Sequence, residues 1–365
     1  MVEKKIFVTQ PLLPELEDVN REIAEIWESK WLTNMGKKHN ELESKLKDVL
    51  KVPNVSLFNN GTIALLVAIK ALDLPYGSEI ITTPFTFAAT PHCISWNGLK
   101  VVFCDIEPDT YTLDPSKIEV LITPRTCAIV PVHVYGNICD NDAIMKIAKK
   151  HGLKVIYDAA HAFGESVNGV NAANLGDASM FSFHATKVFH SVEGGAVTCQ
   201  DEKLVSRLNM EKNFGIPGED RILEVGGNAK MSEFHAAMGI CNLRHIGEYI
   251  ASRKTAAERY RANLSGVPGL KLCPVQEGVV SNYAYLPVVF DGSRRNRDEV
   301  LRKLAEQEIF ARKYFYPLTN DCECYGYAGD RTPVAKYIAE RVLTLPLYAD
   351  LGSADVDRIC EIICD

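Results

Sequence analysis

Between residues 55 and 157, short apolar segments alternate with helical segments, and this alternation constrains the fold more than any other feature. The predicted strands are 55–58, 79–83, 101–104, 127–134 and 154–157, and the predicted helices are 63–72, 87–96 and 143–151. Strands that are apolar along their whole length are typical of a parallel sheet covered by helices on both faces. We therefore expect an α/β fold built on a large, mostly parallel sheet.

The chain of 365 residues is too long for one ordinary core, and its last third has a different pattern. A helical pattern from about residue 232 to 264 is expected to bridge two domains, as one bent helix or as two helices. The strands and helices predicted after it indicate a small α+β domain. We place the large domain at 1–248 and the small C-terminal domain at 249–365, with residues 1–15 allowed to pack on the small domain.

Charge, hydropathy and cysteine content limit the partners and the compartment. The net charge of −7 argues against nucleic acid, because binding a phosphate backbone needs a basic face. No segment approaches the ~18 consecutive apolar residues that span a bilayer, and the N-terminus lacks the apolar core of a signal peptide. The 11 cysteines include no CxxC pair, which indicates reduced, mostly buried thiols and no metal site. We expect a cytoplasmic protein.

Lys187 follows a predicted strand at 179–183 and precedes the glycine pair at 194–195. A lysine held on a tight turn can be desolvated, and its amine can then attack a carbonyl carbon. The simpler interpretation is an exposed lysine in a polar loop. Position alone leaves both open.

Several other residues stand where predicted strands end, which is where ligands bind in open α/β sheets. Gly61 and Thr62 open a helix and could receive a phosphate, or could simply cap it. Asp158 could pair with a protonated ring nitrogen, or could cap the next turn. Phe87 could lie against a cofactor ring or pack in the core, and Ser182 could add a hydroxyl to a phosphate site. The chain contains no dinucleotide-binding or P-loop motif.

These residues stand in eight segments whose order matches a known family: 31–34, 60–65, 84–87, 131–136, 158–162, 182–187, 193–195 and 227–231. Over essentially its whole length the sequence resembles the DegT/DnrJ/EryC1/StrS sugar aminotransferases. The resemblance implies the fold type I architecture of pyridoxal 5′-phosphate (PLP) enzymes, which is like that of aspartate aminotransferase. The large domain would then be the PLP-binding domain.

The resemblance also implies roles for individual residues. The catalytic residues would be Lys187, which bonds to the PLP aldehyde, and Asp158, which pairs with the ring nitrogen. The other implied cofactor contacts are Phe87 on the ring face, His161 beside the phenolic oxygen, Gly61, Thr62 and Ser182 at the phosphate, and Asn228 at the phosphate of the neighbouring subunit. A homodimer with shared active sites follows from the last of these.

The sequence departs from the family pattern at two positions. His161 stands where many members have glutamine; an imidazole can make a similar hydrogen bond, but its tautomer matters. Lys230 stands where many members have arginine, and we assign it no contact. Lys187 itself is retained, which speaks against the dehydratase branch of the family, since that branch lacks this lysine.

The segments 182–189 and 227–231 most resemble the branch that aminates C4 of nucleotide-linked 4-keto-6-deoxy sugars. That branch implies L-glutamate as amino donor and dTDP-4-dehydro-6-deoxyglucose as acceptor, giving dTDP-4-amino-4,6-dideoxyglucose for O-antigen or other polysaccharide biosynthesis. Three alternatives stay open: a 3-keto sugar nucleotide transaminase, a catalytically silent PLP-binding regulator, and a sugar-nucleotide-binding module without PLP.

Overall fold

Helices and strands alternate along most of the chain in this computed structural model, which describes residues 5–218, 221–327, 329 and 331–365. Within these residues the helices are α1 Leu16–Ser29, α2 Lys37–Leu50, α3 Gly61–Ala71, α4 Ala89–Trp96, α5 Asn141–His151, α6 Glu202–Glu211, α7 Glu233–Arg244, α8 Ile246–Leu264, α9 Arg297–Glu306, α10 Pro333–Ala339 and α11 Ser353–Cys364. The strands are β1 Ile6–Phe7, β2 Asn54–Phe58, β3 Glu79–Thr82, β4 Lys100–Phe103, β5 Thr126–Val130, β6 Lys154–Asp158, β7 Ser166–Val167, β8 Val170–Asn171, β9 Ala178–Ser182, β10 Gly195–Cys199, β11 Leu270–Leu272, β12 Val279–Val280, β13 Leu286–Phe290, β14 Ile309–Phe310 and β15 Val342–Leu345.

The large sheet has the strand order β2-β10-β9-β6-β5-β3-β4. Among the described strands of this sheet, only β10 runs antiparallel to its neighbours, so the predicted mostly parallel sheet is confirmed. Leu57 and Phe58 are adjacent in β2, are both fully buried, and belong to two different apolar clusters. Since successive side chains of a strand point to opposite faces, both faces of the sheet are covered. This accounts for the apolar runs in the sequence.

The long helical pattern after residue 232 forms two helices, α7 and α8, which meet at His245. The Ser232 hydroxyl caps α7 by accepting a hydrogen bond from the His235 amide. The predicted boundary between 248 and 249 falls in the first turn of α8. Further along this helix, Tyr260 and Leu264 are fully buried in an apolar cluster with the C-terminal strands and helices.

The C-terminal residues form an antiparallel sheet of order β11-β13-β15 with helices packed against it. The N-terminal strand β1 joins this region, because Ile6 pairs in parallel with Ile309 of β14 and lies in the same apolar cluster.

The side chain of Asp105 ties α10 to the large sheet. It follows β4, and its carboxylate accepts hydrogen bonds from the amides of Val334, at 3.1 Å, and Ala335, at 2.8 Å. Lys117 neutralises the same carboxylate across 3.1 Å. A negative charge at a helix N-terminus is favourable, so this contact fixes the small domain against the large sheet.

No helix among the described residues is long and apolar enough to cross a membrane.

Candidate active site

The junction of β2 and α3 lies directly against the end of β9. A Cβ atom placed on Gly61 would be 2.8 Å from Ser182 Cβ and 3.1 Å from Ser182 Oγ, so only glycine allows this approach. The helix cap is Asn60, whose side chain accepts a hydrogen bond from the Ile63 amide at 2.8 Å. The amides of Gly61 and Thr62 belong to the first turn, where no intrahelical acceptor exists. They point a partial positive charge toward the Ser182 hydroxyl, which suits an anion.

Asp158 ends β6 and is almost completely buried. Its Oδ2 accepts a hydrogen bond from Thr90 Oγ1 at 2.7 Å, and its Oδ1 accepts one from the Ala160 amide at 3.1 Å. Burial raises the pKa of Asp158, whereas these two bonds and the charge of Lys187 hold part of that rise back. The carboxylate therefore gains from any nearby positive charge.

Lys187 stands on a turn that buried aromatic rings hold in place. Phe183 and Phe189 are fully buried, with ring centroids 4.8 Å apart, and the Lys187 amide donates to the His184 carbonyl at 2.9 Å. The side chain is half-buried, and its Nζ lies 6.0 Å from the centre of the Tyr285 ring. Burial lowers the pKa of Lys187, while Asp158 and Tyr314 oppose that shift. A lowered pKa leaves more of the amine neutral and nucleophilic.

His161 is a neutral hydrogen-bond donor. Burial lowers its pKa well below the ordinary value, and the charge of Lys187 adds to the shift. The Tyr135 amide donates to His161 Nδ1 at 3.1 Å, so the one proton of the neutral ring is on Nε2. The ring is parallel to that of Phe315, at a centroid distance of 6.1 Å, which fixes the direction in which Nε2–H points.

Phe87 and Phe85 have opposite environments. Phe85 is fully buried among aromatic rings, whereas Phe87 is 63% exposed. The interpretation of Phe87 as a core residue is therefore wrong. Exposing a large ring in water is unfavourable, so this position suits a residue that stacks on a ligand or a partner.

His184 lies between Ser182 and Lys187 and is part of a polar chain on the same turn. Its Nδ1 is 2.8 Å from Thr186 Oγ1, and its Nε2 is 3.6 Å from Glu193. The described contacts give it no catalytic role.

Asn228 lies near the end of β2, on the loop that precedes α7. It is exposed, and it pairs with Asn213 across the loop that precedes α7. Lys230 Nζ donates to Asn213 Oδ1 at 2.7 Å, and the Ala229 carbonyl accepts from the Asn59 amide at 2.9 Å, so the loop is held in place. Among the described hydrogen bonds, none joins the Asn228 side chain to Gly61, Thr62 or Ser182 of the same chain.

The structure adds residues that sequence reasoning missed. Thr90 orients Asp158. The only feature of the sequence that could have indicated Thr90 is its place in α4, just after Phe87. Tyr285 and Tyr314 reach Lys187 from the small domain. Asn282 donates to the carbonyls of His161 and Phe163, at 2.8 and 3.0 Å. Each of these contacts joins residues at least 68 positions apart in the chain, so no local pattern could have indicated them.

The chain is similar to known proteins over essentially its whole length. A family model described as the DegT/DnrJ/EryC1/StrS aminotransferase family matches residues 15–364. The chain is 45% identical over 365 residues to the dTDP-4-amino-4,6-dideoxy-D-glucose transaminase of Shigella dysenteriae, covering 99% of both chains. It is 44% identical over 369 residues to the Escherichia coli protein of the same name, covering 100% of this chain and 99% of the relative.

Among solved structures, that of DesI in the presence of its TDP-sugar product matches with a TM-score of 0.93 at 35% identity. The match covers 99% of this chain and 92% of the DesI chain. It confirms the aspartate aminotransferase-like fold that the resemblance implied. With Lys187, Asp158 and His161 at one edge of the large sheet, the chain belongs to the DegT/DnrJ/EryC1/StrS aminotransferase family.

Proposed function

We propose that this chain uses PLP to move the amino group of L-glutamate onto dTDP-4-dehydro-6-deoxyglucose, which gives dTDP-4-amino-4,6-dideoxyglucose. The observation that carries the reaction type is a lysine of lowered pKa close to a buried aspartate at the edge of the sheet. The acceptor is inferred from the 45% identity to the Shigella dysenteriae transaminase, which extends over essentially both chains.

The residues present fit PLP at each of its functional groups. The helix N-terminus at Gly61 and Thr62, together with the Ser182 hydroxyl, suits the phosphate, and the close approach of Gly61 to Ser182 leaves no room for a side chain there. Buried Asp158 suits a protonated ring nitrogen, since a cation offsets the penalty of burying the carboxylate. The remaining contacts would be Phe87 against the ring face, His161 Nε2–H at the phenolic oxygen and Lys187 at the aldehyde.

When bound, PLP supplies an aldehyde that condenses with amines and a ring that accepts an electron pair. The protein supplies the rest. The Lys187 amine takes a proton from the donor carbon and returns one to the cofactor side, acting first as a general base and then as a general acid. Asp158 holds the ring nitrogen in its protonated form. His161, fixed in one tautomer, donates a hydrogen bond without gaining a charge of its own.

The active form is a homodimer in which Asn228 reaches the phosphate site of the neighbouring subunit. Its exposure supports this proposal, as does the lack, among the described hydrogen bonds, of one from its side chain to Gly61, Thr62 or Ser182 of its own chain. Around the same loop and the preceding helices, Trp31, Phe214 and Leu223 are also about half exposed, which suits burial against a second copy.

Two measurements test the function. Adding L-glutamate to the holoenzyme should bleach the visible absorbance of the bound cofactor. Adding dTDP-4-dehydro-6-deoxyglucose should restore it and give an amino sugar whose proton couplings at C4, measured by NMR, place the nitrogen. A nitrogen at C3 would instead identify a 3-keto sugar transaminase. Absorbance that no amino donor changes would contradict the proposed activity.

A further inference from the structure

Tyr285, whose ring centre lies 6.0 Å from the Lys187 amine, has two arginines in its surroundings. Burial raises the pKa of Tyr285 to about 12, and the positive charges of Arg253 and Arg312 both act against that rise. Within the described residues, neither guanidinium group has a carboxylate at ion-pairing distance. Arg253 is buried and donates only to backbone carbonyls, including that of Leu347 at 3.0 Å. The charge of Asp350 acts on Arg253, but from beyond ion-pairing distance. Two positive charges that have no ion pair among the described residues favour a negatively charged ligand.

Arg312 is the accessible member of this pair, and its position is fixed. Its amide donates to the Thr344 carbonyl at 3.1 Å, and its carbonyl accepts from the Thr344 amide at 2.8 Å. Its guanidinium lies over the Tyr314 ring, with Cζ 5.1 Å from the ring centre, and donates to the Tyr314 hydroxyl. The side chain is nevertheless exposed, so its other N–H groups face solvent. Such a group loses little conformational freedom when it binds an anion.

The cations on either side of this region are paired with a carboxylate. Lys313, the next residue, is 2.7 Å from Asp298, and Arg297 is 2.8 Å from the same carboxylate. The whole chain carries a net charge of −7, so an anionic substrate needs a local source of positive potential. Arg312 supplies it on the small-domain side of the site, opposite the phosphate contacts at Gly61 and Ser182.

We propose that Arg312 binds the diphosphate of the nucleotide-sugar acceptor, so that the sugar extends past Tyr314 and Tyr285 toward Lys187. This inference rests on the proposed function and adds a binding residue to it. A diphosphate fits better than the carboxylate of an amino donor, because Arg312 is at the exposed end of the series formed by Arg312, Tyr314 and Tyr285. A planar guanidinium donates two parallel hydrogen bonds to phosphate oxygens. Arg253 adds positive potential from behind Tyr285 without touching the ligand.

The test is the affinity of the PLP-loaded enzyme for dTDP, measured by titration calorimetry. We expect Arg312→Gln to weaken dTDP binding about ten- to a hundredfold, and Arg312→Lys to weaken it less, because charge is kept but the paired donors are lost. Binding in Arg312→Gln should also depend less on salt. Arg341→Gln is the matched control, because it removes a guanidinium that lies over a tyrosine, 3.9 Å from the centre of the Tyr337 ring, elsewhere in the small domain. It should bind dTDP like the wild type.

The amino-donor half-reaction separates a diphosphate site from a carboxylate site. Arg312→Gln should still lose its visible absorbance with L-glutamate at the wild-type concentration dependence. Unchanged dTDP affinity in Arg312→Gln, or a wild-type enzyme that binds no dTDP, would overturn the inference. A variant impaired only with L-glutamate would overturn it too, by assigning Arg312 to a carboxylate.

The two proposals can fail separately. An enzyme that binds dTDP through Arg312 but does not transfer an amino group would contradict the proposed function alone. An enzyme that transfers it with equal efficiency in Arg312→Gln would contradict only the role of Arg312. Circular dichroism and thermal unfolding of each variant establish that the fold is intact.

Discussion

Thr90 Oγ1 donates a hydrogen bond to Asp158 Oδ2 across 2.7 Å, and this contact sets how easily the buried carboxylate stays ionised. Burial raises the pKa of Asp158, and the Thr90 hydroxyl is the first of the groups that oppose the rise. Replacing Thr90 by valine removes the hydroxyl at nearly constant volume. We therefore expect the pKa of Asp158 to rise further in Thr90→Val and the acidic limb of the kcat/KM profile to move to higher pH.

At neutral pH, kcat/KM of Thr90→Val should fall about tenfold, the equivalent of one charge-assisted hydrogen bond. Thr90→Ser keeps the hydroxyl and should restore both the rate and the profile. Thr86→Val is the second control, because Thr86 contacts Thr90 at 2.9 Å but does not bond to Asp158. A Thr90→Val profile that coincides with the wild type would show that the hydroxyl does not tune the carboxylate.

Lys187→Ala should abolish transamination while leaving the fold intact, because it removes the amine that is proposed to bond the cofactor aldehyde and carry the proton. We expect turnover to fall by at least about a thousandfold. Lys203→Ala, at an exposed lysine of α6, is the control and should be fully active. Initial rates and thermal unfolding of both variants check this prediction, and full activity in Lys187→Ala would refute the catalytic assignment.

Asn228→Ala should weaken retention of PLP, measured by fluorescence during dialysis, whereas Asn54→Ala, at the opposite end of β2, should not. A mixed dimer shows whether the Asn228 side chain contacts the site of its own chain or that of the partner chain. When Lys187→Ala and Asn228→Ala subunits are paired, a contact across the interface leaves one site fully intact. A contact within the same chain leaves no intact site. A monomer that holds PLP with normal affinity would contradict the shared site.

Glu22→Gln should destabilise the packing of α1 against α2 and α7. Glu22 is buried, lies 2.5 Å from Lys38 Nζ and also bonds to Arg244. Burial alone would raise the pKa of Glu22, but the bonds from Lys38 and Arg244 outweigh it and the net shift is downward. We expect the free energy of unfolding to fall by about 2–3 kcal/mol in urea titrations near pH 7. Glu28→Gln, at an exposed position of the same helix, should change it little.

The effect of Glu22→Gln on stability should depend on pH, and its direction follows from the pKa of Glu22. A carboxyl whose pKa is lowered by folding stabilises the protein above its ordinary value of 4.5. That stability is lost as the pH falls through the lowered, folded-state pKa. The difference between wild type and Glu22→Gln should therefore shrink below pH 4.5. A difference that stays constant from pH 7 to pH 3 would show that it does not come from ionisation.

The sequence predicted those parts of the fold that depend on local patterns. The parallel strands could be found because each is apolar along its length. Lys187 and Asp158 could be proposed as site residues because Lys187 follows such a strand and Asp158 ends one. The small domain was predicted less well. The alternating pattern over 282–290 predicts a strand, but β13 begins only at Leu286, and Asn282 turns its side chain to the large domain. The helix α10 and the strand β15 were not predicted.

The side chains that complete the site from the small domain could not be predicted, because long-range contacts set their positions. The apolar and aromatic pattern over 310–314 predicts a strand that contains Arg312 and Tyr314, whereas β14 ends at Phe310. Their direction is set by the bridge between Arg312 and Thr344 and by the bond from the Tyr135 hydroxyl to the Tyr314 carbonyl. Both are long-range contacts, so they cannot be predicted from a short stretch of sequence.

The pairing of Ile6 with Ile309 has a consequence for how the chain is made. During synthesis the first strand leaves the ribosome long before its partner exists, so it must remain without a partner until residue 309 has emerged. Meanwhile the residues of the large sheet, 54–199, are already available to fold. Completion of the small domain is therefore a late event with a very long loop to close, and its buried Ile6 would be among the last core side chains to leave water.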